Sequence, residues 1–434
     1  MIQTCINLFK NKEIRKKILF TLAMLFIYRL GAAIPAPRVN SLAISAAIMD
    51  NSILSMMNLL GGGALERLSI FALGVGPYIT ASIIIQLLSM DVIPSLTEMS
   101  KSGQTGKMKL DKITRYLAVV LAMVQGGTMI WAFDNGAFNG ISGIIENGNL
   151  AVYLYIATVL TAGTLFLLWI GDRISQFGIG NGVSMIIFSG IVANIPFNFV
   201  QVYKTFVDSS SNTAMFNGIL TFIAYIAMYI LIIVLVVFMQ LAERKIPIQY
   251  TSSSLQRGKQ DMNFLPLKIN SASVVPVIFA SAIMTAPVTI ANFFPPNTFT
   301  VFLGDVLNLQ KPMGLCIYAV LIVFFTFFYT NLQVDPQKIA DDLGKSGTYI
   351  PGIRPGNETK EYVSKVLNRI TVLGACFLLF IALIPYLLTM FTTLPASVSI
   401  GGTGIIIVVG VAMETMTALK GQLTQKKYRG FIQK

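Results

Sequence analysis

The chain has 434 residues, 54% of them hydrophobic and 12% charged, with a net charge of +13 and no histidine. Ordinary soluble domains carry about 25% charged residues, so this composition excludes a soluble globular class and specifies a polytopic membrane protein. Missing histidine removes the commonest general base and metal ligand, and Cys5, Cys316 and Cys376 are too scattered for a disulfide framework or ligand spacing.

Hydropathy predicts ten spans, over 18–37, 70–90, 117–133, 150–170, 183–200, 217–240, 272–292, 313–334, 370–390 and 402–419. Each is near the ~20 residues needed to cross ~30 Å of hydrocarbon. The first is read as a span and not a cleaved signal, because Ile18 to Pro37 is too long for a signal h-region and no small-residue cleavage site follows it. The second is broken. Gly61, Gly62 and Gly63 precede a short piece carrying Glu66 and Arg67, and Gly74, Gly76 and Pro77 interrupt the apolar run before a clean helix through Ile83, Ile84, Ile85 and Leu88. Lipid cannot satisfy the backbone groups that such a break frees, so the segment must lie against protein or a water-filled cavity. A path across the membrane is one reading, and a kink used only for packing is the other.

Glycines also open the fifth span, at Gly178, Gly180 and Gly182. Val183 and Ile187 then fall four apart on one helix face, as do Val75 and Ile79 beside the break. Such apolar pairs could line a constriction that closes by dewetting, although most pairs of this kind face lipid or core.

Lysine and arginine alternate along the loops. The N-terminus, every second connection and the tail hold 27 of the 32 basic residues, while Arg38, Arg67, Lys204 and Lys311 lie in the opposite loops and Arg29 lies within a span. By the positive-inside rule both termini are cytoplasmic. The long loops 241–271 and 335–369 are on that side, the second carrying Arg354 between Pro351-Gly352 and Pro355-Gly356. Loops of this length and charge suit an acidic partner or RNA phosphates, or else only fix topology and touch anionic lipid.

Chemistry is sparse. Gly344-Lys345-Ser346 resembles the end of a phosphate-binding loop, but Ile339 stands where the first glycine is required. No HExxH or GxSxG occurs, and the ionisable residues within spans are Arg29 and Glu414. An ion-coupled transporter needs a buried relay, and an intramembrane protease needs a nucleophile–base pair or metal ligands. A passive conduit or a scaffold remains, with no cofactor and no enzymatic activity expected.

The segments GGGALERLSIFALGVGPYITASIIIQLL (61–88), GIGNGVSMIIFSGIVA (178–193), ERKIPIQY (243–250), LPLKINSASVVPVIFA (265–280), KSGTYIPGIRPG (345–356) and GGTGIIIVV (401–409) occur in order along the chain. Through them it resembles the SecY/Sec61α family of protein-conducting channels, in its bacterial form, over nearly its whole length. The resemblance implies an all-α polytopic membrane fold of ten transmembrane helices in two inverted five-helix halves. Those are residues 1–200, with a plug at 61–71, and 201–434, with cytoplasmic docking loops at 241–271 and 335–369.

It further implies that Gly61, Gly62, Gly63, Ala64, Leu65, Glu66, Arg67, Leu68, Ser69, Ile70 and Phe71 form the plug, with Ala64 to Phe71 as a half-helix sealing the outer funnel. Val75, Ile79, Val183, Ile187, Ile278 and Ile407 map onto the pore ring, and a lateral gate would open between spans 2–3 and 7–8. Arg354 maps onto the arginine that binds the motor ATPase SecA and the ribosome, with Arg257 and Lys259 in the other docking loop. The implied partners are the SecE and SecG subunits, signal peptides, preproteins and membrane lipids, with YidC and SecDF as accessory proteins. The implied location is the bacterial cytoplasmic membrane. The alternative from another class is a small-solute secondary transporter built on an inverted repeat.

Overall fold

The computed structural model describes residues 11–39, 58, 63–90, 92–134, 145, 149–207, 212–250, 263–291, 297–309, 311–391 and 396–432. Most are helical. In chain order the elements are α1 (Lys12–Ala33), α2 (Gly76–Leu88), α3 (Pro94–Lys101), α4 (Gly103–Asp134), α5 (Leu150–Phe177), α6 (Gly182–Phe206) and α7 (Asn212–Leu241). Then come β1 (Glu243–Tyr250), β2 (Asn263–Lys268), α8 (Val275–Ala291), α9 (Thr298–Val306), α10 (Pro312–Gln333), α11 (Pro336–Lys345), β3 (Thr348–Tyr349), α12 (Asn357–Phe391) and α13 (Ala396–Ile432).

Seven helices are long and apolar enough to cross a membrane, corresponding to α4, α5, α6, α7, α10 (extended through α11), α12 and α13. The three other predicted spans fall on α1, α2 and α8. α2 and α8 are short because their entrances are not helical. Pro77 sits in the first turn of α2, where its missing N–H costs nothing, and Val75 caps it without a side-chain bond.

Packing divides the spans into two sets with one pattern. In the first, α2 packs on α4, α4 on α5, α5 on α6, and α1 on both α5 and α6. In the second, α8 packs on α10, α10 on α12, α12 on α13, and α7 on both α12 and α13. Counting spans, each contact in the first set recurs five spans later. The sets meet at two seams: α6 against α7 and α13, and α2 and α4 against α8.

The described connections also hold a three-stranded sheet, in the order β2-β1-β3. The two long basic loops are joined: β1 pairs antiparallel with β2 from Glu243↔Lys268 to Ile248↔Asn263, and with β3 at Gln249↔Tyr349 and Tyr250↔Thr348. Pro247 is tolerated in the middle strand because β3 is only two residues long and leaves that edge of β1 open beside it. Ile246, Leu267, Ile350, Val363, Leu367 and Ile370 fill a small core of their own beneath this sheet.

Candidate functional site

The break before α2 is built differently from the expected half-helix. Residues 63–75 run as successive turns, with left-handed backbone at Gly63 (φ 82°), Leu68 (φ 40°) and Gly74 (φ 57°) interrupting any helix. Gly61 and Gly62 lie outside the described residues. The segment is stitched instead to the chain that follows α1: Ala36 N donates to Leu68 O at 2.9 Å and Ile70 N to Ile34 O at 3.1 Å, around an antiparallel bridge between Pro35 and Ser69. Those bonds satisfy backbone that lipid could not.

Close approach makes the seat. A Cβ on Gly163 of α5 would lie 2.0 Å from the Ile70 carbonyl oxygen, and one on Gly31 of α1 would strike the Phe71 ring at 2.1 Å. The Phe71 ring stacks between Tyr28 and Phe166, with centroids 6.1 and 6.0 Å away. Leu65, Leu68, Ala72 and Leu73 pack with residues of α4 and α5, whereas Ala64 and Phe71 belong to the large central cluster. Ala64, Leu65 and Ser69 are fully buried, Glu66 and Ile70 are partly buried, and Arg67 is exposed. Burial pushes the Glu66 carboxyl above its ordinary value, against a smaller opposing pull from Arg67.

The six predicted ring residues all belong to or pack against the same central cluster, which draws on most of the helices. Val75, Ile79, Ile187, Ile278 and Ile407 are buried members of it and Val183 packs against it. They come from α2, α6, α8 and α13 (Val75 as the N-cap of α2), the helices that form the two seams. Val183 is positioned by the start of α6, where the Asn181 side chain accepts from Val183 N at 3.1 Å. The turn before it needs Gly180 at φ 70°.

Arg29 carries a charge inside the first set. Its Nη2 donates to the Ser189 and Gly190 carbonyl oxygens of α6, the second at 2.8 Å, and its guanidinium lies 5.4 Å from the Tyr28 ring centroid. It therefore ties α1 to α6 beside the seat of the turn segment.

On the loop platform, Arg354 projects from a tip made by Gly352 (φ 82°) and Gly356 (φ 105°). Its side chain is 87% exposed, with Glu358 at 3.9 Å, a surface pair of small energetic consequence. Its backbone is fixed: Ile353 N donates to Ile350 O at 3.1 Å, and Thr359 Oγ1 to Arg354 O at 2.8 Å. Arg244, Lys245, Lys268, Lys338 and Lys345 are exposed on the same sheet and its neighbouring helix. Arg257 and Lys259 lie outside the described residues. Sequence reading treated the two loops as separate; strand pairing unites them.

Comparison with known proteins decides the family. The family model described as SecY matches residues 69–416. The chain belongs to the SecY family. It is 46% identical over 432 residues, covering 99% of each sequence, to the protein translocase subunit SecY of Staphylococcus aureus (strain NCTC 8325 / PS 47). The same identity and coverage hold for the protein translocase subunit SecY of Staphylococcus epidermidis (strain ATCC 12228 / FDA PCI 1200).

Among solved structures, one described as a protein conducting channel matches with a TM-score of 0.68 at 18% identity, over 93% of this chain and 91% of that one. Sec61 in the canine ribosome-channel complex matches with a TM-score of 0.64 at 17% identity, over 93% and 91%. At those identities the likeness speaks for the SecY fold.

Sequence reasoning missed the hydrogen bond that the Tyr329 hydroxyl donates to Gln86 Oε1 between α10 and α2, because it weighed only ionisable groups within spans. A glutamine amid the apolar run of α2 was the available signal.

Proposed function

We propose that this chain is the pore-forming subunit of a protein translocase, moving unfolded polypeptide across the membrane and releasing apolar segments sideways into lipid. It is a channel and not an enzyme. The observation that carries the reading is the largely buried non-helical segment 64–75, seated at the foot of α2 against the central cluster between the two sets. A membrane protein has little reason to bury strained backbone there unless it seals something. The small-solute alternative would need a buried ionisable relay, and the ionisable residues within the predicted spans are Arg29 and Glu414.

In this reading residues 1–200 and 201–434 are the two halves. Val75, Ile79, Val183, Ile187, Ile278 and Ile407 close around the path, and residues 64–71 lie over it as a plug. The stitching of Leu68 and Ile70 to residues 34–36 limits what moves: displacement would involve the stretch before Leu68, hinged on the glycines at 61–63. The seam of α2 and α4 with α8 is the lateral gate, and the seam of α6 with α7 and α13 is the hinge.

The basic platform with Arg354 is the docking surface for a SecA-type motor or for ribosomal RNA and protein, with Arg257 and Lys259 as further contacts for those partners and both termini on that face. SecE- and SecG-type subunits accompany the chain in a bacterial cytoplasmic membrane. Energy comes from the docked partner, and no nucleotide is bound here.

The test is transport into vesicles carrying this chain with its small partner subunits, read as protection of a preprotein from added protease. Protection should require the motor and ATP. Arg354→Glu should reduce it at least tenfold while leaving the melting temperature unchanged, because reversing one exposed charge costs a fold under ~0.5 kcal/mol but costs a desolvated contact several. Undiminished transport by Arg354→Glu would remove the platform from the mechanism. Failure of the unaltered chain to protect any preprotein would sink the translocase reading.

A further inference from the structure

α8 leaves the basic platform after β2 and α10 returns to it at α11, so the short helix α9 between them lies on the opposite face. Its nine residues, Thr298–Val306, include one charged side chain, Asp305, which is paired with Lys311 Nζ at 2.7 Å. Phe299, Phe302, Leu303 and Val306 recur at i, i+3, i+4 and i+7 and share one helical face. Among the described residues nothing buries that face: no residue of α9 is buried, and Phe299 and Phe302 are 70% and 61% exposed.

The helix is firmly mounted. At its start Asn297 N donates to Thr300 Oγ1 at 2.8 Å, and the Thr300 hydroxyl donates to Asn297 O at 2.8 Å. At its end Leu307 N donates to Leu303 O at 3.0 Å, and Leu309 enters the central cluster. The Asn308 carbonyl oxygen accepts from Lys311 N at 3.0 Å and rests on α10, where a Cβ on Gly314 would lie 2.0 Å from it. Phe299 and Phe302 are thus presented by a pre-organised element, which lowers the ordering cost of any contact they make.

The chain itself sets what lies beside them. α9 packs against both α8 and α10, and exposed apolar surface resumes on α10 at Met313, Val320 and Phe324. The matching place in the first set, between α2 and α4, holds α3. There Leu96 and Thr97 are buried while Ser95, Glu98 and Ser100 are exposed. A connecting helix at this point of the repeat therefore has no need of exposed aromatic rings. With no Lys or Arg in α9, the face fits an apolar medium and not an acidic surface.

We propose that α9 lies along the membrane surface opposite the basic platform, with Phe299 and Phe302 seated in lipid at the boundary of headgroups and acyl chains. A helix of this kind buries its apolar face about 5–10 Å into that boundary. The seat fixes the depth of the α8–α10 connection in its leaflet, while Val301 and Asp305, on the other side of the helix, face water. The proposal requires only that α8 and α10 cross the membrane, so it stands or falls apart from the translocase reading.

The experiment places an indole on each side of α9. In a chain carrying Trp131→Phe and Trp169→Phe, assembled with its partner subunits in phosphatidylcholine vesicles, Phe302→Trp is compared with Val301→Trp. Emission of the complex without the added indole is subtracted. Quenching is read with lipid brominated high on its acyl chains, and separately with iodide on both sides of the membrane. The indole of Phe302→Trp should emit further to the blue, be quenched by the brominated lipid and be insensitive to iodide. That of Val301→Trp should show the reverse. Added phosphatidylglycerol should change neither, because α9 carries no cation.

Iodide quenching of Phe302→Trp overturns the proposal. So does protection from both quenchers, which would mean that protein and not lipid covers the face. Equal quenching of both variants by brominated lipid would sink the whole helix into the acyl layer and end the surface seat, and quenching that needs phosphatidylglycerol would make the contact electrostatic. Should Phe302→Trp fail to accumulate, Phe299→Trp reads the same face.

Discussion

The two seams between the sets are unlike each other. At the first, α6 packs extensively along α13 and also against α7, and residues near the start of α6 add polar and apolar ties. Thr415 Oγ1 of α13 approaches Met185 Sδ of α6 at 3.5 Å, Lys17 Nζ of α1 donates to Gln422 Oε1 of α13 at 3.3 Å, and Ile14, Ile179 and Leu419 form a cluster. At the second, α8 meets the short α2 and part of α4 through a smaller contact, tied by the Gln86–Tyr329 bond and the Phe279 ring. Where packing is dense, separation costs many contacts at once; where it is thin, it costs less. Pseudo-repeated halves that share one packing pattern therefore need not be symmetric in stability. In the proposed function the thinner seam is the one that opens, with the other as its hinge.

The largest expected effect comes from placing a polar group in the apolar cluster on each side in turn. Ile187→Asn and Ile278→Asn each remove a buried aliphatic chain and bury an amide, for a loss of roughly 3–5 kcal/mol if the surroundings stay closed. Ile187 belongs to α6 at the densely packed seam and Ile278 to α8 at the thinner one. Ile278→Asn should be the milder in thermal melting and the stronger in idle ion conductance across planar bilayers, because water can reach it through the looser seam. Equal conductance from both variants, with equal melting, would remove the asymmetry.

A smaller effect is expected at the hinge-side turn. Gly180 has φ 70°, and a Cβ there would meet Thr415 Oγ1 at 3.3 Å. Gly180→Val forces a β-branched residue into left-handed backbone and presses it on α13, for a cost of about 2 kcal/mol. Melting should fall accordingly, while the leucine content that a test segment needs for insertion into vesicles stays at its original value. A requirement that moves with Gly180→Val would show the two seams to be coupled, so that neither is a simple hinge.

The smallest effect concerns Glu66, whose carboxyl is raised by burial. A folded-state value above the unfolded one means that the seated segment takes up a proton more readily than the displaced one. Seating is therefore most favourable below the ordinary carboxylate range and weakens as pH rises through the raised value. Idle conductance should rise modestly over that interval, and Glu66→Gln should flatten the dependence at its low-pH level. A dependence that persists unchanged in Glu66→Gln would assign it to another group.

Much of this was legible in the chain. Runs of ~20 apolar residues mark the helices long and apolar enough to span, because transfer from water acts on local composition. Gly74, Gly76 and Pro77 mark the break before α2, and Gly352 and Gly356 mark the tip that presents Arg354, because backbone conformation is restricted residue by residue.

What only the tertiary structure decided is long-range. Residues 64–75 are turns and not a half-helix because Ser69 pairs with Pro35 and the Ile70 carbonyl rests on Gly163, neighbours that no local periodicity announces. Two loops become one platform because Tyr250 reaches Thr348. Gln86 meets Tyr329 across 243 residues. Hydropathy and turn chemistry are properties of a short window, so they fix which segments enter the membrane and where helices stop. Which segments then touch depends on how side chains fill the space between helices, and that is set only when both sets are packed together.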